Sequence, residues 1–98
     1  MPNSAIDFLA TLEAVILERR ASPSADSYTS QLFASGAQRI AQKVGEEAIE
    51  VALAAGQNNS SEVRAEAADL IYHLLVLLAN QDLRLADVVG ELESRHGG

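Results

Sequence analysis

Apolar residues recur at three- and four-residue intervals along most of this chain, a spacing that predicts helices throughout. The first helix runs from about Ser4 to Arg20, with Ile6, Leu9, Leu12 and Ile16 on one stripe. Ser4 is its expected N-cap, Asp7 favours the positive end of its dipole, and Arg19 and Arg20 suit the negative end. The segment ASPSADS, with Pro23 and small polar residues, predicts a loop. SYTSQLFASG follows, with one short helical turn expected around Thr29 to Phe33 and a break at Gly36.

A second long helix is expected from Ala37 to Ala55, carrying Ile40, Val44, Ile49, Val51 and Leu53, with Gly56 as its terminating glycine. QNNSS is a short polar linker, and Asn59 with Glu62 three residues on resembles a capping box. The third helix runs from Ser60 to Asn80, and the last from Leu85 to Arg95 with Leu85, Val88, Val89 and Leu92 as its stripe. The second half of the third helix, LIYHLLVLLA, is apolar nearly all round. Such a helix has to be covered on every side, and three companions of this length hardly suffice. The pattern therefore predicts an all-α, four-helix bundle-type element, one domain over residues 1–98, completed by homodimerisation.

Composition agrees with helices: Ala, Leu and Val dominate a 48% hydrophobic content, with only 4% aromatic residues. At 98 residues the chain supports one modest core. The net charge of −7 disfavours a polyanionic partner, so no nucleic acid is expected. Without cysteine there is no disulfide and no thiolate metal site. MPNSAIDF shows no signal-peptide pattern, and no apolar run is long enough to span a membrane, so a soluble cytoplasmic protein with no membrane partner is expected.

Charge becomes informative in KVGEEAIE, Lys43 to Glu50. At about 100° per residue, Glu47 and Glu50 lie about 60° apart, with about 4.5 Å of rise between them. Glu46 and Glu50 form a like-charged i,i+4 pair, and no cation follows to relieve it. A solvated acidic face is the ordinary explanation of such a helix. Glu66 and Asp69 repeat the spacing of three on the next helix, and Asp69 leads straight into the apolar half, where partial burial is expected. Asp69 could there be half of an ion pair with an arginine, and His73, one turn on, reads by itself as a core histidine. Taken together, E-x-x-E and E-x-x-D on neighbouring helices can form a four-carboxylate cluster. Its self-repulsion calls for a cation, and all-oxygen ligands suit Mg²⁺ or Mn²⁺. Di-iron bundles need Glu-x-x-His pairs, which these are not. The residues alone lead to a Mg²⁺-dependent phosphate hydrolase.

KVGEEAIE followed by EAADLIYHLL, with Ser27-Tyr28-Thr29, Leu32, Gly36 and the ending LESRH, resembles phosphoribosyl-ATP pyrophosphohydrolase, of the all-α MazG-like nucleotide pyrophosphohydrolases. The resemblance extends from Arg19 onward and is to the stand-alone form rather than to fusions with phosphoribosyl-AMP cyclohydrolase, whose zinc site would suggest cysteines. It implies that phosphoribosyl-ATP and water give phosphoribosyl-AMP and pyrophosphate with Mg²⁺, with Glu47, Glu50, Glu66 and Asp69 as metal ligands. Glu46 is then a candidate for orienting water. Lys43 is a candidate for holding a phosphate oxygen, or else simply pairs with Glu47; Arg39, a turn earlier, is a weaker candidate. Ser27, Tyr28 and Thr29 would lie in a loop able to bond ribose or phosphate, or would serve as a helix cap and a packed tyrosine. Tyr72 and His73 line the site or pack the core, and Arg95 and His96 stay outside it. A house-cleaning nucleoside triphosphate pyrophosphohydrolase and a non-enzymatic helical dimerisation module are the alternatives.

Overall fold

A computed structural model describes residues 4–98. The described chain has five helices and no strand: α1 Ser4–Ala21, α2 Tyr28–Ser35, α3 Ala37–Gly56, α4 Ser60–Asn80 and α5 Leu85–His96. The all-α expectation holds, and the long helices fall within a residue or so of their predicted limits. The cap expected from the Ser4 side chain lies outside what is described.

One element was underestimated. The single turn expected at Thr29–Phe33 is a helix of eight residues, α2. Ser27 starts it, its hydroxyl accepting the Ser30 N–H at 3.2 Å. Gly36 ends it with φ +92° while preceding α3 directly, so one glycine is both the stop of α2 and the entry to α3. That left-handed angle is why a glycine stands there.

α3 and α4 form an antiparallel hairpin across a turn of three residues, 57–59. Gly56 is the last helical residue rather than the left-handed one, which is Asn58 with φ +55°. Asparagine tolerates that conformation because its short amide bonds locally. Asn59 Oδ1 accepts the Glu62 N–H at 3.1 Å, so the cap expected there forms through its asparagine.

Ile16, Leu32, Ile40, Leu75, Val76 and Ala79 make the core, drawn from α1 to α4. α5 contributes no buried residue. Of its predicted stripe, Leu85 and Val88 are half-buried while Val89 and Leu92 stay exposed. A buried glutamate holds it instead. Glu13, 8% exposed, accepts the Leu85 N–H at 2.7 Å and pairs with Arg84 at 3.3 Å. Arg20, expected only to complement the α1 dipole, donates to the Ala79 carbonyl and to Asp82, closing the C-terminal end of α4. The apolar half of α4 is only partly covered within the chain, since Ile71 remains 44% exposed.

Candidate active site

The α3–α4 hairpin brings carboxylates together from both helices. Ligand oxygens of Glu47, Glu66 and Asp69 all lie within 4.8 Å of one another. A separation of that order lets three oxygens share one cation. Glu50, the fourth expected member, lies outside this triad, one turn further along α3, where it lines a cavity at the hairpin turn. It remains near enough for its charge to act on Glu66. Partial burial first, then Asp69, Glu47, Glu50 and Glu62, raise the Glu66 carboxyl above its ordinary pKa. Four like charges crowding one carboxylate is the condition that a bound cation relieves.

Asp69 departs from expectation in being exposed. The apolar run begins after it, and full burial on α4 begins only at His73, one turn later. No arginine pairs with Asp69 among the described residues, so the structural ion pair considered for it is not made.

The cations gather on the N-terminal side of the triad. Lys43 Nζ lies 3.3 Å from Glu47 and 3.9 Å from Glu46, and Arg39 also reaches Glu46 at 3.9 Å. Gln42 Nε2 donates to the other Glu46 oxygen at 3.1 Å. Glu46 therefore faces two cations and an amide, and stands outside the carboxylate triad. Lys43 and Glu47 are the enclosed members, with side chains 19% and 13% exposed, so their pairing is better shielded than the outer contacts.

On the other flank, α2 closes on α4 through paired polar contacts. His73 Nδ1 faces the Asp69 carbonyl oxygen at 2.7 Å, and Nε2 faces the Tyr28 hydroxyl at 3.1 Å. A carbonyl can only accept, so Nδ1 carries the proton. In the neutral ring Nε2 is then the acceptor and Tyr28 the donor. Thr29 Oγ1 bonds the Tyr72 hydroxyl, and the Tyr72 ring meets His73 edge-on at 4.9 Å. Burial raises the Tyr72 phenol, outweighing the hydrogen bond from Thr29 that lowers it. Ser27, Tyr28 and Thr29 thus occupy a helix start rather than a loop. Ser27 is spent as a cap, and the Tyr28 and Thr29 hydroxyls are turned to His73 and Tyr72. Sequence reasoning had no signal for these pairings, because they cross more than forty positions of chain. Arg95, left outside the site, pairs with Glu91 on α5 at 2.9 Å.

Fold and site together define an all-α protein with a cluster of carboxylates on a helical hairpin, flanked by lysine and arginine. Residues 9–96 match the family described as phosphoribosyl-ATP pyrophosphohydrolase. The chain belongs to that family, which is one of hydrolases. Among curated proteins it is similar to the histidine biosynthesis bifunctional protein HisIE of Salmonella typhi, 55% identical over 89 residues. It is 54% identical over 89 residues to the protein of the same description from Yersinia pestis. Each alignment covers 91% of this chain and 44% of the relative. The relative from Photobacterium profundum is 51% identical over 92 residues, 94% of this chain and 44% of that protein. The chain spans less than half the length of these relatives.

Proposed function

We propose that the chain hydrolyses phosphoribosyl-ATP to phosphoribosyl-AMP and pyrophosphate in histidine biosynthesis, with water as nucleophile and Mg²⁺ as cofactor. The observation that carries this is the convergence of Glu47, Glu66 and Asp69 in a chain of this family. The donor set fits a hard cation, since it is all carboxylate oxygen. Glu47, Glu66 and Asp69 would hold Mg²⁺, with Glu50 in reach of the same site, and Mn²⁺ suits the same ligands. When bound, the cation supplies positive charge against phosphate oxygens and acidity to a bound water.

The chain's own residues do the rest. Water forms a bond to phosphorus and gives up a proton to solvent, the phosphoanhydride bond breaks, and negative charge collects on the departing pyrophosphate. Lys43 and Arg39 stand where they can stabilise that charge. Glu46, bonded to Gln42, keeps both cations on this side of the triad. Tyr28, 49% exposed, offers its ring to substrate from α2, while Ser27 and Thr29 fix the helix that presents it. A charged nucleotide does not cross a membrane unaided, which assigns the work to the cytoplasm.

A homodimer completes this reading. The chain exposes 6659 Å², against about 5,400 Å² for a compact monomer of its mass. Its radius of gyration is 14.7 Å, against about 13 Å for a compact chain of this length. The surplus area exceeds the roughly 800 Å² that each partner gives to a standard interface. Exposed Ile71 on the apolar half of α4, and Ile6, Phe8 and Val15 on α1, are the surfaces a second copy would cover.

The test is pyrophosphate release from phosphoribosyl-ATP in Mg²⁺. Glu47→Gln and Asp69→Asn should each lower kcat by about 100-fold or more, the upper end of what losing an outer-shell partner costs a metal site. Unchanged turnover in both variants would remove the site assignment.

A further inference from the structure

His73 lies one turn beyond Asp69, 6% exposed, and is no member of the carboxylate triad. Its ring is held at both nitrogens. Nδ1 donates to the Asp69 carbonyl at 2.7 Å, which leaves Nε2 to accept from the Tyr28 hydroxyl at 3.1 Å. The tyrosine held in this way is not a core residue, since half of it faces solvent. Tyr72 lies against it, the two ring centroids 6.2 Å apart and the planes inclined by 28°. The Tyr72 hydroxyl is itself bonded by Thr29. The hydroxyl and one face of the Tyr28 ring are thus committed to α4, and the other face is open.

Of the four aromatic residues, Phe8 and Tyr28 are the exposed ones. Phe8 stands on α1, which carries none of the triad, whereas Tyr28 is tied to the hairpin that does. Phosphoribosyl-ATP carries phosphate on both sides of its base, on the triphosphate arm and on the ribosyl group attached to the base. Arg39 and Lys43 answer phosphate charge. The base between the two arms calls for a flat face instead, and a ring without net charge accommodates both arms. We propose that the purine base of the substrate stacks on Tyr28, and that His73 is the positioning residue that holds this ring in place before the substrate arrives. A side chain fixed in advance spares the complex the cost of ordering it. Because His73 also bonds the turn that carries Asp69, the platform and the triad keep one spacing. The assignment rests on the nucleotide hydrolase reading above and adds the group that takes the base and the residue that aims it.

Tyr28→Ala removes the platform and should raise KM for phosphoribosyl-ATP about 5- to 100-fold, the worth of stacking one base. Tyr28→Phe keeps the ring and loses the tether, so KM should rise about 2- to 10-fold, the worth of ordering one side chain. In both, kcat should change little, because the contact is not to reacting atoms. The two bonds of His73 can be separated by substitution. Asparagine places its amide where Nδ1 stood and reaches the Asp69 carbonyl; glutamine places its amide where Nε2 stood and reaches Tyr28. His73→Asn should therefore raise KM as Tyr28→Phe does, while His73→Gln should bring it back towards the parental value, whatever either costs in Tm. A histidine that served packing alone would not sort the two variants in this way. AMP, which has the base and no phosphoanhydride bond, probes the platform without turnover. Titrated into the isotope-labelled full chain, it should shift the Tyr28 ring resonances and leave those of Phe8 in place. If AMP leaves the Tyr28 ring unmoved, or if Tyr28→Ala keeps the parental KM, the platform is overturned. If the two His73 variants change KM alike, the positioning role is overturned. AMP seated on Tyr28 in a chain that fails to turn over phosphoribosyl-ATP would uphold the platform and remove the reaction. Turnover with an unmoved ring would do the opposite.

Discussion

Replacing Glu13 with alanine should detach α5 from the rest of the chain. α5 has no fully buried side chain, and its apolar anchorage is through half-buried residues such as Leu85, so packing holds it weakly. Its main polar attachment is the Glu13 carboxylate, which accepts the first helical N–H of α5 at 2.7 Å and pairs with Arg84. A hydrogen bond to a charged acceptor contributes about 1.5–3 kcal/mol. The Arg84 side chain is 57% exposed, so its pairing adds less than about 1 kcal/mol. The alanine variant thus loses about 2–3 kcal/mol from a total of roughly 5–15. For a domain of this size, that lowers Tm by roughly 10–20 °C. Glu13→Gln keeps an acceptor for Leu85 and loses only the charge, so its drop should be clearly smaller. Thermal melting gives the first number, and native-state hydrogen exchange the second. In Glu13→Ala the α5 amides should exchange well before those of α3 and α4. Equal melting of all three proteins, or unchanged protection of α5, would refute the account.

Mg²⁺ at 100 times its Kd should stabilise the fold by about 2.7 kcal/mol, raising Tm by roughly 10–20 °C, and Asp69→Asn should abolish the rise; a melt indifferent to Mg²⁺ would show that the triad holds no cation. Without metal, the raised Glu66 carboxyl binds its proton more tightly folded than unfolded, so its destabilising effect is absent below the ordinary value of 4.5 and grows as pH climbs through the raised one. The metal-free chain should accordingly lose stability over that window, and Glu66→Gln should flatten the dependence; an identical pH profile in the variant would contradict this. Tyr28→Phe leaves the buried His73 Nε2 without its donor and should cost about 1–3 kcal/mol, and the double variant with His73→Phe should cost less than the sum of the two. Strict additivity would mean that the pair does not couple α2 to α4. Ile71→Glu should convert a sedimenting dimer into a monomer, whereas a wild-type chain that already sediments as a monomer would remove the homodimer.

The long helices were legible because their signals are local. Periodic apolar residues, Gly36 and Asn59 each announce a boundary within a few positions. The acidic pairs were legible for the same reason, since three residues of helix fix the relation of Glu66 to Asp69. Other features depend on contacts across the fold. α2 carries a weak stripe of its own, yet Tyr28 and Thr29 reach His73 and Tyr72, so tertiary bonds extend a helix that propensity alone reads as one turn. Glu13 sits among the polar positions of α1 and gave no sign of its burial, because its partners arrive 72 residues later. The pattern groups Glu50 with Glu47, and the rise between them sets it towards the α3–α4 turn, with its charge still acting on Glu66.

The three-residue turn between α3 and α4 has a consequence for how this centre comes into being. Its acidic side chains all belong to one helical hairpin, with Glu47 and Asp69 close in sequence. Contacts of such short range form early and need little loop closure. The constellation can therefore assemble on the nascent chain as soon as α4 has emerged, before α5 exists to dock.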